Sequence, residues 1–396
     1  MISSAYLFAE DLLDEGVPSV VDRLASAGLT SATIAATYHH SRDVFPHGSN
    51  RKVQYLEGGV CYFQPQRSRY SRIQPVVARA IGATEPLAEL AAQIPTSAWL
   101  VVLHNSRLAE AHPDCAPETA FGDRLLNGLC PANPDVRQYA VALASDVARF
   151  NLQAIKLEAV QYLGFDHGGH HERSFVPLSP NIRFLLGLCF CQHCRAAAAD
   201  FDVQGLQRRV RERIEALFAS SSEETHEPDV EDETMQTSLG DYAAMRQRVV
   251  ASLAAEIAEA VRNQSPNTRV VYLDPSGATL GYATGRPASD RTATSIGWRD
   301  GIDLAAIAPR VDGIGMIGYF AETARLQSEL AAYTRLAPAE RLEVILRPMA
   351  PDTASATALA ERVEALRQAG VAEVSFYHYG FMRLENLTWI RQALQA

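Results

Sequence analysis

The chain has 396 residues and is acidic, with 36 Lys and Arg against 46 Asp and Glu and a formal net charge of −10. Because affinity for nucleic acid depends largely on clustered basic residues that release counterions, this charge argues against a nucleic-acid partner. Hydrophobic residues make up 47% of the chain, enough to fill a large core, so a mostly disordered protein is excluded.

The start of the chain lacks the basic region of a secretory signal peptide and reaches Glu10 and Asp11 before a long apolar run can form. No later run approaches the roughly 20 apolar residues that cross a bilayer. Six cysteines are too few for a disulfide scaffold. The sequence therefore predicts a soluble, cytoplasmic protein with no membrane partner.

Eight short apolar runs rich in β-forming residues recur along the chain, separated by stretches with helical periodicity. The predicted strands are residues 5–9, 32–38, 98–104, 154–158, 269–274, 313–319, 343–348 and 373–379. The predicted helices are residues 17–27, 86–92, 136–150, 195–218, 242–263, 322–335 and 354–369. This eightfold alternation is the signature of a (β/α)8 barrel of the TIM type.

A doubly wound open sheet would also alternate strands and helices, but neither GxGxxG nor GxxxxGK[ST] follows the first strand. We therefore expect an α/β fold with a single barrel domain over residues 1–396 and inserted loops. One excursion, around 115–195, carries most of the cysteines. Another, 220–237, is acidic and Ser-rich, so it cannot bury enough surface to offset chain ordering and is predicted to be flexible.

Polar residues collect where the predicted strands end, which in a (β/α)8 barrel is the active face. Eight of the eleven histidines lie at or just beyond these ends. Any one of them is equally consistent with a hydrogen-bonded structural group. The whole set is harder to explain in that way, and it predicts a polar, ligand-binding mouth.

The fourth predicted strand has a clear alternation of side chains. Ile155 and Leu157 share one face, and Lys156 and Glu158 share the other. If the apolar pair faces the helices, both charged residues point into the barrel, where an unpaired charge costs several kcal/mol. Either the two form an ion pair, or Glu158 is a catalytic carboxylate whose pKa is tuned by Lys156 or a histidine.

Three cysteines, Cys189, Cys191 and Cys194, form a CxCxxC pattern that can place three thiolates around one tetrahedral ion. Structural zinc normally takes four ligands. The candidates for the fourth are, in order of preference, Cys130, then Cys115 and His193, then Cys61. The alternative is that the cysteines are free and merely buried.

At these residues the chain resembles glycoside hydrolase family 42, the bacterial β-galactosidases, and related barrel glycosidases. The shared order is a Cys-Pro-x-x-Pro segment at 130–134, a glutamate ending strand four, and CxCxxC opening the next helix; it covers about the middle fifth of the chain. The resemblance implies a structural zinc, no organic cofactor and a small-molecule carbohydrate substrate, and it leaves a homo-oligomer open. By the same resemblance, Glu158 would be the general acid/base and the zinc ligands would be Cys130, Cys189, Cys191 and Cys194.

The chain also departs from that family at two positions. The family places Asn directly before its strand-four glutamate, and here the residue is Leu157. Its nucleophile is a glutamate at the end of strand seven, whereas here 343–348 ends without a carboxylate and Asp352 is a weak substitute. These differences indicate a distant relative of the barrel glycosidases and not a β-galactosidase.

Glycoside hydrolysis usually needs two carboxyl groups. Glu158 is the first candidate, and Asp274 is preferred as the second, because alternation with Tyr272 would put both on the inner face. In another group of barrel glycosidases the strand-four carboxylate is the nucleophile, so the role of Glu158 stays open. The remaining candidates for the second carboxyl group are Glu322 and Asp352, followed by Glu10 and Glu172.

Sugar hydroxyls would be bound by polar side chains at the mouth, with a tryptophan offering a stacking face. Arg299 and Arg347 also leave room for an acidic sugar. The predicted substrate-binding residues are His39, His40, His104, Asn105, Lys156, His170, His171, Trp298, Arg347, Tyr377 and His378.

Two other classes of protein fit the same residues. One is a metal-dependent barrel hydrolase or isomerase, which would use His39, His104, Glu158 and His170 or His171, although tight His-x-His and HExxH spacings are absent. The other is a non-catalytic carbohydrate-binding barrel in which Glu158 only pairs with Lys156.

Overall fold

The computed structural model describes residues 1–166, 173–219, 233–287 and 289–396. Eight parallel strands form a closed barrel, because the first strand pairs with both the second and the last. All eight predicted strands are confirmed, with ends shifted by up to three residues. In chain order they are β1 (Ile2–Leu7), β2 (Ser31–Tyr38), β3 (Thr96–Val101), β4 (Ala154–Glu158), β5 (Arg269–Asp274), β6 (Gly313–Ile317), β7 (Leu342–Leu346) and β8 (Glu373–Phe376).

Helices follow the strands and cover the outside of the barrel. The predicted helix 195–218 is in fact two helices, because the chain turns between them and the Asp202 carboxylate accepts a hydrogen bond from the Gly205 N–H at the start of the second. The final helix, Leu384–Gln395, was not predicted, and neither were several short helices such as Ala9–Glu15, Ser106–Ala111 and Pro180–Leu186. The described α-helices are Ala9–Glu15, Val17–Ser26, Pro86–Ala91, Ser106–Ala111, Pro134–Ala148, Pro180–Leu186, Gln192–Ala197, Val203–Ala219, Glu233–Gln264, Ser276–Gly281, Ala293–Ile296, Leu304–Ile307, Thr323–Thr334, Ala356–Gln368 and Leu384–Gln395.

A small β-excursion follows β2 on the mouth side of the barrel. Ser41–Val44 pairs with Val53–Leu56 as an antiparallel hairpin, and Val60–Cys61 then adds to β2. Of the predicted acidic insertion, 220–232 lies outside the described residues and 233–237 begins the helix Glu233–Gln264. None of the described helices combines the length and the apolar character that a bilayer crossing requires.

The barrel strands are buried on both faces, and two separate apolar clusters show which face is which. Trp99, Val271 and Ile345 belong to the cluster inside the barrel. Ile155 and Leu157 belong to the larger cluster between strands and helices. The predicted orientation of β4 is therefore confirmed, with Lys156 and Glu158 pointing into the barrel.

Candidate active site and metal centre

Glu158 ends β4 on the inner face and is partly exposed at the barrel mouth. Its carboxylate accepts a hydrogen bond from the indole N–H of Trp99 on β3, with 2.5 Å between Nε1 and Oε2. Burial raises the pKa of Glu158 to about 7, although the Trp99 hydrogen bond acts in the opposite direction. A carboxyl group whose pKa is raised this far can hold its proton near neutral pH, as a general acid requires.

Five aromatic residues surround this carboxyl group, and we call them the aromatic mouth: Tyr6, Tyr38, Trp99, Tyr319 and Tyr377. Their rings form a continuous network, with centroid separations of 4.8 Å for Tyr38–Trp99, 5.3 Å for Tyr6–Trp99 and 5.8 Å for Trp99–Tyr377. Burial raises the pKa of all four tyrosines, and the nearby Glu158 charge adds to the effect. The mouth therefore combines flat apolar faces with neutral phenol hydroxyls.

Lys156 lies one layer below Glu158 and does not reach the mouth. Its side chain is fully buried, and Nζ donates to Glu343 and Glu373 at 2.7 Å each. Tyr6 also donates to Glu343. Burial alone would lower the pKa of Lys156, but the two carboxylates raise it overall, so the lysine stays charged. This geometry rejects the alternative of a Lys156–Glu158 ion pair and corrects the predicted role of Lys156 in substrate binding.

Asp274 faces the helices, not the barrel interior. Val271 and Leu273 occupy the inner face of β5, so the predicted alternation was assigned to the wrong face. The Asp274 carboxylate is fully buried, where it accepts hydrogen bonds from Tyr333 OH at 2.5 Å and from the Ser276 N–H at 3.0 Å. This position removes Asp274 as the carboxylate opposite Glu158.

Arg347 follows β7, where the family pattern would place a nucleophilic carboxylate. Its guanidinium donates two hydrogen bonds of 2.6 Å to the Asp352 carboxylate and lies 4.3 Å from the centre of the Tyr319 ring. A further bond reaches the Tyr282 carbonyl at 2.9 Å. Arg347 therefore borders the aromatic mouth with its charge already neutralised, which argues against recognition of an acidic sugar. Asp352 is buried in the same ion pair.

Two predicted histidines extend the mouth outward. The His39 ring stacks on the rings of Tyr38 and His104, with 4.1 Å and 4.3 Å between the ring centroids. Both histidines are partly exposed, and His40 is exposed beside them. Together with the partly exposed Tyr377, these side chains are open to a ligand.

Asn105 and His378 have structural roles instead. Asn105 caps the helix Ser106–Ala111 by accepting from the Leu108 N–H at 2.9 Å. His378 is fully buried between Phe8 and Phe381, and burial lowers its pKa well below the usual value. Neither side chain is placed to meet a substrate, which corrects both predictions.

The remaining residues predicted for the site are Trp298, Glu322, His170, His171 and Glu172. Trp298 lies in the loop after β5 and packs edge-on against Phe184 at 5.2 Å. Glu322 is exposed at the start of the helix Thr323–Thr334. His170, His171 and Glu172 lie outside the described residues.

Three aromatic residues at the mouth, Trp99, Tyr319 and Tyr282, were not predicted from the sequence. Trp99 sits in the middle of β3, where an aromatic residue reads as ordinary core. Its alternation with Ser97 and Val101 was the one available signal that it faces the barrel interior. Tyr282 is 64% exposed beside Arg347 and offers a stacking face at the rim.

The four predicted metal ligands come together. Cys130, Cys189, Cys191 and Cys194 are buried, and their sulfur atoms all lie within 4.8 Å of one another. Cys130 Sγ is 3.6 Å from those of Cys191 and Cys194 and 3.8 Å from that of Cys189. Tetrahedral coordination with metal–sulfur bonds of about 2.3 Å gives sulfur separations of about 3.8 Å, so the spacing fits a metal ion. It is far too long for a disulfide.

The fourth member of this cluster is the preferred candidate, Cys130, and not Cys115, Cys61 or His193. In the part of the chain that the structure describes, these four cysteines form the only group of three or more Cys, His, Asp or Glu residues placed to hold an ion. His39, His104 and Glu158 do not form such a group. The arrangement therefore supports one metal centre away from Glu158.

No protein-family model matches the chain, and no curated protein matches it either. Solved structures do match. A β-galactosidase from Halorubrum lacusprofundi is 12% identical with a TM-score of 0.57, covering all of this chain and 58% of the other. A family GH42 β-galactosidase from G. stearothermophilus gives 12% and 0.55, covering 95% of this chain and 51% of the other.

The catalytic domain of a β-amylase from Paenibacillus polymyxa is 10% identical with a TM-score of 0.53, covering 99% of this chain and 97% of that domain. At these identities the comparisons show the fold: a (β/α)8 barrel similar to those of family 42 and other glycosidases. The predicted resemblance is confirmed at that level. This chain spans roughly half to three fifths of the length of the similar β-galactosidases.

Proposed function

We propose that this protein is a glycoside hydrolase in which Glu158 is the general acid. The observation that carries the proposal is a single carboxyl group at the end of β4, inside the aromatic mouth, whose pKa burial raises to about 7. Similar barrels named β-galactosidase and β-amylase support the same class of reaction. The substrate would be a neutral sugar, since Arg347 is already paired with Asp352.

In this mechanism Glu158 donates its proton to the glycosidic oxygen as the bond to the sugar breaks. The Trp99 N–H holds one carboxyl oxygen and so orients the other toward the mouth. The partly exposed ring of Tyr377 would pack against the sugar ring, with Tyr282 as a further stacking face at the rim, and the hydroxyls of these tyrosines would bond sugar hydroxyls.

The candidates that remain for the second carboxyl group are Glu322, Glu10 and Glu172, because Asp274 and Asp352 are committed elsewhere. Glu10 lies just after β1, and burial raises its pKa to about 7. Glu172 belongs to the loop after β4, outside the described residues. Separate substitution of each by Gln distinguishes them.

The four-cysteine centre is proposed to hold zinc, since four thiolates in tetrahedral spacing are its typical structural ligands. Cys130 comes from the segment before the helix Pro134–Ala148, and the other three come from the segment around the helix Gln192–Ala197. When bound, the ion would cross-link these two segments and contribute folding free energy. It takes no part in the reaction at Glu158.

A non-catalytic carbohydrate-binding barrel is the second candidate. It is favoured by Arg347, which stands after β7 where the family pattern has its nucleophile. This candidate keeps the aromatic mouth as a sugar site but assigns no turnover to Glu158.

The experiment uses 4-nitrophenyl glycosides of neutral hexoses in both anomeric forms. For any glycoside that is cleaved, Glu158→Gln is compared on the 4-nitrophenyl and the more activated 2,4-dinitrophenyl derivative. A general acid predicts a larger loss on the poorer leaving group, because only that group needs the proton. Glu259→Gln, which alters an exposed carboxylate on an outer helix, is the matched control.

Equal losses on both leaving groups would reject the acid role of Glu158. If the wild-type protein cleaves none of the glycosides but binds a sugar in calorimetry, the second candidate replaces the first.

A further inference from the structure

The helix Glu233–Gln264 carries two residues on one face, of which Tyr242 contacts the cysteine segment and Arg246 contacts Tyr162 beside it. Tyr242 OH donates to the Cys189 carbonyl, and its ring stacks on Phe190 at 5.2 Å. Arg246 follows four residues later and therefore lies on the same side of the helix. The helix thus brings one neutral donor to the cysteine segment and, one turn further on, a cation that stacks on Tyr162.

Arg246 is among the most deeply buried large side chains of the described chain, with 1% exposure. Its guanidinium lies 4.4 Å from the centre of the Tyr162 ring, and Tyr162 OH is 3.4 Å from Cys194 Sγ. A buried cation needs compensating negative charge nearby. The Asp300 carboxylate is one source, because Arg246 lowers the pKa of Asp300 against the effect of burial.

The metal centre is a second and larger source of negative charge. Four thiolates around a divalent ion carry a net charge of about −2 in a water-excluded site. Tyr242 OH donates to the Cys189 carbonyl and Tyr162 OH shares a hydrogen bond with Cys194 Sγ, but neither phenol brings a charge. Arg195, on the helix that contains Cys194, pairs with Glu118 and is partly exposed.

We propose that Arg246 is the counter-charge of the four-cysteine metal centre and, through Arg299, couples that centre to the loop after β5. This inference rests on the proposed metal centre but not on the proposed glycosidase activity. It adds to the four ligands an outer residue more than fifty positions along the chain from the nearest of them.

Contacts of the loop after β5 support the coupling. Arg246 Nη1 donates to the Arg299 carbonyl at 2.7 Å, and the Tyr162 N–H donates to the Asp300 carbonyl at 3.1 Å. Gly301 has φ of +78°, and a Cβ there would meet Tyr162 Cδ2 at 3.1 Å and Arg246 Cβ at 3.3 Å. The loop therefore rests directly on the stacked Tyr162–Arg246 pair, on the same side of the barrel as the aromatic mouth.

The test compares zinc-loaded wild-type protein with Arg246→Met, which keeps most of the packing volume but removes the charge. Metal release to a chromogenic chelator is timed, and amide hydrogen exchange is measured over 297–303. Arg246→Met should release zinc about 10- to 100-fold faster, the usual effect of losing an outer-shell partner, and should exchange faster over 297–303. Arg248→Met, an exposed arginine on the same helix, is the control and should match wild type.

Two further variants separate charge from packing. Arg246→Lys keeps the charge and should stay close to wild type, within about threefold in release rate, since the expected loss comes from the missing charge. Asp300→Asn should also retain the metal, because the cation serves the cysteines and not only Asp300. If Arg246→Met does not fold, Arg246→Gln decides: it keeps a donor for the Arg299 carbonyl but removes the charge, and release at the wild-type rate would overturn the proposal.

Release from Arg246→Met at the rate of Arg248→Met would overturn the proposal while leaving the metal centre in place. Rapid release from Asp300→Asn would overturn it too, by showing that the arginine acts through that carboxylate. Wild-type protein that binds no zinc or cobalt would instead reject the metal centre itself, a distinguishable result.

Discussion

Replacement of Lys156 by methionine should strongly destabilise the protein, because it leaves two buried carboxylates without their cation. Lys156 is fully buried and lies 2.7 Å from an oxygen of both Glu343 and Glu373. Those two glutamates are directly paired across β7 and β8, so without the ammonium they face each other at close range. Removing one partner of a buried ion pair costs about 3 to 5 kcal/mol.

The corresponding change in melting temperature follows from chain length. An unfolding entropy of about 2.1 cal/mol/K per residue gives roughly 0.8 kcal/mol/K for this chain, and so a fall of about 4 to 6 °C. Lys52→Met is the matched control, since Lys52 is the only other lysine and is exposed. Calorimetry and urea unfolding of both variants measure the difference.

The destabilisation should depend on pH with a definite sign. In wild type the Lys156 charge lowers the pKa of Glu343 against the effect of burial, so its loss moves that pKa further above the unfolded value of about 4.3. A carboxyl group whose pKa is higher in the folded state stabilises the folded protein at pH values below its unfolded-state pKa. That stabilisation is lost as the pH rises through the folded-state pKa. The loss in free energy of unfolding caused by Lys156→Met should therefore be largest at pH 7.5 and smaller toward pH 4. A deficit under about 1 kcal/mol, or one equal at both pH values, would refute the reasoning, since breaking a buried pair costs more.

Three further outcomes are expected. Trp99→Phe should raise the pKa seen in the pH–rate profile above about 7, because the indole hydrogen bond lowers the pKa of Glu158; an unchanged profile would contradict this. Cys191→Ser should lose bound metal and melt at a lower temperature, whereas Cys61→Ser, outside the cluster, should keep its metal content; full metal retention by Cys191→Ser would remove the metal centre. Asp274→Asn should retain turnover in a glycosidase assay, since the side chain faces the helices, and an inactive but folded variant would return it to the site.

Local pattern was sufficient wherever the two faces of a strand differ in chemistry. In β4, charged and apolar residues alternate, so the inward direction of Lys156 and Glu158 could be predicted. The CxCxxC spacing likewise placed three thiolates on one short segment before any fold was known. The eightfold alternation was enough for the barrel.

The sequence could not determine which side of β5 faces inward. A parallel barrel strand is buried on both faces, so its sequence is a nearly continuous apolar run. Such a run has no alternation of polar and apolar residues to show which face points inward. Val271 and Leu273 turn inward, and this moves Asp274 to the helix layer. One residue of register thus decided whether a carboxylate belonged to the candidate site.

Charge partners, too, were decided only by the tertiary structure. Lys156 is two residues from Glu158 but bonds Glu343 and Glu373, which lie 187 and 217 positions away, because strands distant in sequence meet inside a closed barrel. Arg347 is likewise neutralised by Asp352 only through the turn after β7. The amino-acid sequence by itself determined the eight barrel strands and the types of metal ligand. Barrel closure determined which charges neutralise one another, and so left Glu158 with a hydrogen-bond donor but no ion pair among the described residues.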